Sequence, residues 1–258
     1  MTQPYQGIPN QFRRDLLDKK RLIGCWCMMA SPISAEVMGK AGYDWILLDG
    51  EHAPNELSDF VTQLMALKDS PTAPLVRPQW ADPILIKRLM DIGFFNFLFP
   101  MIGSAEEAKA AVAATRYPPE GIRGVALMHR GNQYGYVSDY HDKVNENVAV
   151  IAQIESLDGL NNVEEIAKVD GIDGIFIGPS DLSTVLGHFN DPMHLEVQDA
   201  VKRIFEAGRA ADTAVGILAH VEDHARRYLD MGLNFVSIGA DLALLKGGSL
   251  ALRERFRD

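Results

Sequence analysis

Apolar and polar positions alternate along this chain in a repeating rhythm. Short runs of apolar residues at 21–26, 44–48, 73–77, 96–99, 148–154, 174–177, 213–218 and 235–239 read as strands. Between them lie stretches with helical spacing: 34–41, 56–67, a helix opened by Pro83, 104–115, 159–169, 195–210 and 221–231. A helix at 11–20, with Phe12, Leu16 and Leu17 on one face, precedes the first strand, and one at 242–256 follows the last. Gly42 stands just past the end of its helix, where glycine takes a left-handed cap at little cost. Pro83 suits a first helical turn, because its missing N–H has no partner there in any case.

Strands that are apolar throughout fit a parallel sheet covered on both faces. Eight of them, each followed by a helix, predict a (β/α)8 TIM barrel formed as one domain over residues 1–258. A doubly wound open sheet is the rival, but no G-x-G-x-x-G or P-loop pattern supports it. The rhythm breaks only at 116–147, a segment with Pro118, Pro119, His129 and Arg130 and little periodicity. Connections this long in a compact domain are usually functional or disordered.

On a parallel barrel the chemistry belongs at the strand C-termini. Four apolar runs end there in polar clusters: Asp49-Gly50-Glu51-His52, Arg77, Gln153-Ile154-Glu155, and Gly178-Pro179-Ser180-Asp181. Glu155 and Asp181 follow neighbouring strands, and two carboxylates so placed suit Mg²⁺ or Mn²⁺, with Co²⁺ also admissible. Against this stands the plainer reading of two solvated acids capping helices. Gly178 and Pro179 allow a tight turn close to a ligand, and the N–H groups of the next turn suit a substrate carboxylate. Arg77 fits a developing enolate or a carboxylate, or else a structural ion pair with Asp49 or Glu51. His52, beside two acids, can exchange protons near neutral pH. His220 and His129 are further candidates for reaching a substrate, whereas His141, His188, His194 and His224 read as solvated. Phe94, Phe95, Phe97 and Phe99 read as core. No lysine closes a strand, so Schiff-base chemistry has no candidate, and carbonyl chemistry requires a metal ion as electron sink.

Composition narrows the partners. The chain has 258 residues, 47% hydrophobic and 23% charged, with a formal charge of −10, which argues against nucleic acid or an anionic membrane as partner. No run is long and apolar enough to span a membrane, and residues 1–20 lack the apolar core of a signal peptide, so the cytosol is the expected compartment. Cys25 and Cys27 alternate on one strand and read as small core residues, not as a disulfide or a zinc site.

Several longer motifs stand in one order: Leu48-Asp-Gly-Glu-His-Ala-Pro-Asn55, Val76-Arg-Pro78, Arg116-Tyr-Pro-Pro-Glu-Gly-Ile-Arg-Gly124, Gln153-Ile-Glu155 and Gly178-Pro-Ser-Asp-Leu-Ser183. Together they resemble the HpcH/HpaI family of class II pyruvate aldolases, from about Leu22 to the last helix. Gly24-Cys-Trp26, Ser31-Pro-Ile-Ser34, Ile86-Lys-Arg-Leu89, Asp91-Ile-Gly93 and His129-Arg130 look most like its glucarate type. The resemblance implies a metal-dependent homohexamer whose last helix is exchanged between paired subunits. It matches Glu155 and Asp181 to metal ligands, Arg77 to the group holding the pyruvate oxygen, and His52 to the base. It pairs His52 with Asp91 of a neighbouring subunit. Asp49 and Gln153 match supporting residues, and Gly178, Pro179 and Ser180 match the loop holding the pyruvate carboxylate. The implied reaction is reversible cleavage of 2-dehydro-3-deoxyglucarate to pyruvate and tartronate semialdehyde. His220 and the Pro78-Gln79-Trp80 run keep 4-hydroxy-2-oxoheptanedioate, yielding succinate semialdehyde, as an alternative. A lyase of acyl-CoA thioesters and a non-catalytic metal- or sugar-acid-binding barrel are the rival functions.

Overall fold

The structure, a computed structural model, describes residues 8–257, so the first seven residues of the polar N-terminal stretch, and Asp258, lie outside it. Eight parallel strands close into a barrel in sequence order: β1 Leu22–Cys27, β2 Trp45–Asp49, β3 Ala73–Arg77, β4 Asn96–Phe99, β5 Ala149–Ile154, β6 Gly174–Ile177, β7 Ala214–Leu218 and β8 Phe235–Ala240. The helices are α1 Gln11–Leu17, α2 Pro32–Lys40, α3 Leu57–Ala66, α4 Pro83–Ile92, α5 Ala105–Thr115, α6 Tyr140–Lys143, α7 Leu157–Asn161, α8 Val163–Ile166, α9 Pro179–Val185, α10 Leu195–Ala210, α11 Glu222–Met231 and α12 Asp241–Glu254. The expected (β/α)8 barrel is the fold. No helix among the described residues is long and apolar enough to cross a membrane.

Side chains separate into two layers by strand parity, because successive residues of a strand face opposite sides. Trp26, Trp45, Phe176 and Phe235 point inward and fill the barrel with edge-on and tilted rings, at centroid separations of 5.5–6.3 Å. Phe12 and Leu16 of α1 join this inner cluster. Cys25, Cys27, Ile46, Leu48, Phe97 and Phe99 belong to the outer layer, packed under the helices. Both cysteines are free and buried, and burial pushes the Cys25 thiol up to about 11, so the reading of them as core residues stands.

Room for four large rings comes from glycine. A Cβ on Gly24 would sit 2.1 Å from the Trp45 ring, which its aromatic neighbours hold in place. Gly24→Ala is therefore expected to lose about 3 kcal/mol of stability, the upper end for overpacking, read as a lowered urea midpoint.

The structure differs from the sequence expectation in a few elements. The first helix stops at Leu17, because Lys19 turns left-handed at φ 55°. The stretch expected as one helix at 159–169 is two short ones hinged at Asn162, whose side-chain amide donates to Gly103 O at 2.8 Å. α9, begun at Pro179, has no counterpart in the sequence pattern; its polar first turn hides a helix of two turns. The 116–147 segment is ordered against α4: Arg123 reaches Asp91 at 2.7 Å and Arg130 caps the helix through Ile92 O at 2.7 Å.

Candidate active site

Parity also selects which polar side chains enter the barrel mouth. Inward residues on β2 are Trp45 and Leu47, so Asp49 points in; on β3, Ala73 and Leu75 are followed by Arg77. On β5, Ala149 and Ile151 set the phase for Gln153, and for Glu155 just beyond the strand; on β6, Phe176 sets it for Gly178. Five of the expected site residues are thus brought together at the C-terminal end by one geometric rule.

Asp49 and Arg77 are register partners on adjacent strands. Arg77 grips the fully buried Asp49 carboxylate with Nε at 2.8 Å and Nη2 at 2.7 Å, while Nη1 lies 2.7 Å from Glu51 Oε2. The ion pair weighed as the plainer reading of Arg77 is therefore present. The two hydrogen bonds to Asp49 use two of the five guanidinium N–H donors, and the contact with Glu51 is an ion pair without hydrogen-bond geometry, so donors on Nη1 and Nη2 are left for a ligand. Trp26 lies beneath, its ring centroid 5.5 Å from the guanidinium carbon. Asn55 closes the β2 loop by donating to Asp49 O at 2.6 Å, and Gln63 in turn donates to Asn55.

Glu155 is buried and accepts the Met101 N–H at 2.9 Å and Gln153 Nε2 at 2.5 Å. Burial pushes its pKa up to about 7 against the pull of the Met101 bond, and the neighbouring Glu51 and Asp181 charges push the same way. Burial likewise raises Glu51, with Arg77 opposing. Met101 has φ 56°, so a non-glycine residue is held left-handed in the turn that delivers this N–H. Gly178 lies so close that a Cβ there would meet Glu155 Oε2 at 2.3 Å. Displacing that carboxylate by about 1 Å in Gly178→Ala is expected to cut turnover by about 10²-fold, measured as pyruvate release. Asp181 is exposed in the first turn of α9, with Pro179 and Ser180 beside it.

The donor set fits a divalent cation. Asp49 and Glu51 contact the Arg77 guanidinium, the charges of Glu51 and Asp181 act on Glu155, and Gln153 Oε1 is buried without a hydrogen-bond partner. All donors in this group other than the guanidinium are hard oxygens, the preference of Mg²⁺ and Mn²⁺.

His52 is exposed on the β2 loop, its Nε2 3.9 Å from Glu51 Oε2. His220 is exposed at the rim beyond β7. Two further candidates, one of them expected to act on a neighbouring subunit, lie away from this mouth. α4 runs back from β3 toward the start of β4, so Asp91, one residue from its end, lies at the opposite face of the barrel from His52. His129, 4.0 Å from Asp91, is buried there against Tyr140, so it does not reach the mouth of its own barrel as expected.

Trp26, Met101 and Asp241 also shape the mouth and are not among the site candidates of the sequence. Trp26 is legible from the parity of β1. Asp241 is buried and ties the ends of β8 and β1, accepting Met28 N–H at 2.9 Å, Met29 N–H at 3.3 Å and Ser34 Oγ at 2.7 Å. Neither it nor the left-handed Met101 carries a local signal.

Comparison with known proteins places this geometry. The family model "HpcH/HpaI aldolase/citrate lyase" matches residues 22–246. A 5-keto-4-deoxy-D-glucarate aldolase from Enterobacter sp. (strain 638) is 52% identical over 97% of this chain and 98% of its own. The crystal structure of an HpcH/HpaI aldolase/citrate lyase family protein from Burkholderia cenocepacia J2315 superposes with a TM-score of 0.93 at 39% identity, covering 96% of this chain and all of that one. A more distant barrel, the protein CitE from Mycobacterium tuberculosis, solved in complex with magnesium and acetate, shares the fold alone. Its TM-score is 0.59 at 18% identity, covering 89% of this chain and 88% of that one. The chain belongs to the HpcH/HpaI aldolase/citrate lyase family and is a carbon–carbon lyase built on a (β/α)8 barrel.

Proposed function

We propose that the protein, acting as one barrel domain in the cytosol, reversibly cleaves 5-keto-4-deoxy-D-glucarate (2-dehydro-3-deoxyglucarate) to pyruvate and tartronate semialdehyde. The observation that carries this reading is the convergence of Asp49, Arg77, Gln153, Glu155 and Gly178 at one barrel mouth, in a chain 52% identical along its length to an aldolase of that name.

Glu155 and Asp181 would hold Mg²⁺ or Mn²⁺, with Co²⁺ as a substitute. When bound, the cation supplies positive charge beside the 2-oxo group as the carbon–carbon bond breaks. His52 takes the proton of the 4-hydroxyl, directly or through water, and its exposure on the β2 loop leaves the imidazole free to do so. As the C3–C4 bond breaks, its electron pair moves toward the 2-oxo group and the aldehyde departs. The spare N–H donors of Arg77 stabilise the enolate oxygen, with Asp49 fixing the guanidinium plane. A proton then returns to C3, completing pyruvate. The free N–H groups in the first turn of α9, at Ser180 and Asp181, receive the pyruvate carboxylate. Gln153 holds Glu155, and His220 stands where the aldehyde portion leaves the mouth.

Asp91 of a second copy would complete the site by pairing with His52. A homohexamer is the assembly we propose, supported by the exposed Leu242, Leu244, Leu245, Leu250, Leu252 and Phe256 on or beside α12. On this arrangement His129, packed beside Asp91, would face a neighbour's site.

The test is pyruvate release from 5-keto-4-deoxy-D-glucarate and from 4-hydroxy-2-oxoheptanedioate, with EDTA, Mg²⁺ or Mn²⁺. Release of pyruvate from the first, abolished by EDTA and restored by metal, is expected. Release insensitive to chelation would remove the metal from the reading, and a preference for the second substrate would reassign the aldehyde.

A further inference from the structure

We propose that His188, His194 and Glu196 form a second metal site, selective for ions that favour imidazole such as Zn²⁺, on the connection between α9 and α10. It is separate from the barrel-mouth chemistry and does not depend on the substrate assigned above.

One ligand atom from each of the three side chains lies within 4.8 Å of the others, the one such histidine–carboxylate group among the described residues. His188 Nε2 is 2.8 Å from Glu196 Oε2, and the His188 and His194 rings stack with centroids 3.4 Å apart and planes inclined by 17°. Zinc bound to two histidines and a carboxylate has donors about 2.0–2.2 Å from the metal, and so about 3.3–3.6 Å from one another in a tetrahedron. His188 Nε2 and Glu196 Oε2, at 2.8 Å, are already closer than that, and no pair of the three ligand atoms is more than 4.8 Å apart. Closing the site requires the stacked rings to open by rotation about χ2, so that their lone pairs converge. Both rings are only partly buried, and their nitrogens hydrogen-bond to Glu196. His194 Nδ1 accepts the Glu196 N–H at 3.3 Å, a long bond that costs little to give up.

The backbone that carries the ligands is already fixed. His188 N–H donates to Ser183 O at 2.7 Å, Asp191 N–H to His188 O at 3.0 Å and His194 N–H to Asp191 O at 3.2 Å, with Asn190 turning left-handed at φ 57°. Gln198 Nε2 pins Pro192 O at 2.7 Å. The positive end of α10 opposes a cation, and the Glu196 carboxylate in its first turn offsets it. With two nitrogen donors this set selects Zn²⁺, Co²⁺ or Ni²⁺ over Mg²⁺, whereas the oxygen donors at Glu155 and Asp181 select the reverse. A bound ion would tie the end of the α9 connection to the start of α10.

The experiment uses the full chain carrying Glu155→Gln and Asp181→Asn, so that barrel-mouth binding is removed. Equilibrium dialysis is expected to find one Zn²⁺ per chain and no Mg²⁺, and adding His188→Gln or His194→Gln is expected to abolish the zinc. Zinc is also expected to protect His188 and His194 from carbethoxylation, mapped by peptide mass spectrometry, while His224 stays reactive. Unchanged far-ultraviolet circular dichroism and melting in the glutamine variants would show that loss of zinc is not loss of fold. In the otherwise native chain, His194→Gln is expected to leave pyruvate release in Mg²⁺ unchanged. Zinc binding that survives both histidine substitutions, protection that fails to appear at these two rings, or zinc lost with Glu155→Gln and Asp181→Asn alone would each overturn the proposal.

Discussion

Glu155→Gln is expected to reduce pyruvate release by at least about 10²-fold, the scale of losing a group that holds charge at the reacting centre. The substitution preserves volume, and a fold able to receive it is already in place. Met101 N–H can still donate to the remaining side-chain oxygen. Gln153 can flip its amide, so that its Oε1, buried and without a partner in the native site, accepts from the new N–H₂. What disappears is the negative charge, and with it the attraction for a divalent cation. The same charge is a burden in the metal-free protein, where burial and the nearby Glu51 and Asp181 all oppose it. Metal-free Glu155→Gln is therefore expected to melt no lower than the native protein. Activity lost with stability kept or raised would identify a functional carboxylate. Activity retained would make Glu155 a structural acid, and loss of both would point to failed packing around Gly178.

Most of the barrel is legible because the signal is periodic and local. Eight apolar strands at near-regular spacing have few alternative folds, and β3, β4, β6 and α10 begin and end where the pattern puts them. The mouth residues are legible because each closes an apolar run. The legible part stops at contacts made across the barrel. Asp241 and Ser34 lie 207 positions apart, and their bond is set only when the last strand closes on the first. Met101 delivers an N–H to Glu155 through a left-handed turn that methionine does not advertise. His129 departs from its expected place for a related reason. The 116–147 segment has no periodicity to give it direction, and its position follows from the buried Arg123 pairing with the half-buried Asp91, backed by the Tyr117 and Tyr140 rings at 4.4 and 5.7 Å. His188 and His194 read singly as solvated histidines; only the turn at Asn190 brings them together.

Arg77 is where structural and catalytic roles overlap, and a set of three variants separates them. Arg77→Met leaves the Asp49 carboxylate, wholly buried, without its cation. Breaking one side of a buried pair costs about 3–5 kcal/mol, which for a chain of this size lowers the melting midpoint by roughly 6–20 °C. Adding Asp49→Asn removes the stranded charge. The asparagine amide keeps the shape of the carboxylate and can still accept the Glu51 N–H that Asp49 Oδ1 takes at 3.0 Å, so much of the lost stability is expected to return. Activity is not expected to return with it, because the enolate oxygen gains its charge only as the bond breaks, and the donors that meet it there are gone. The loss, about 10²–10³-fold, should fall mainly on kcat and less on KM. Arg77→Lys completes the set: it keeps the positive charge but cannot span both Asp49 oxygens while also reaching Glu51 and a ligand. It should melt above Arg77→Met yet remain far below the native enzyme in turnover. If turnover instead rises and falls with the melting midpoint across all three, Arg77 does no more than hold the barrel mouth together, and the enolate must be stabilised by the cation alone.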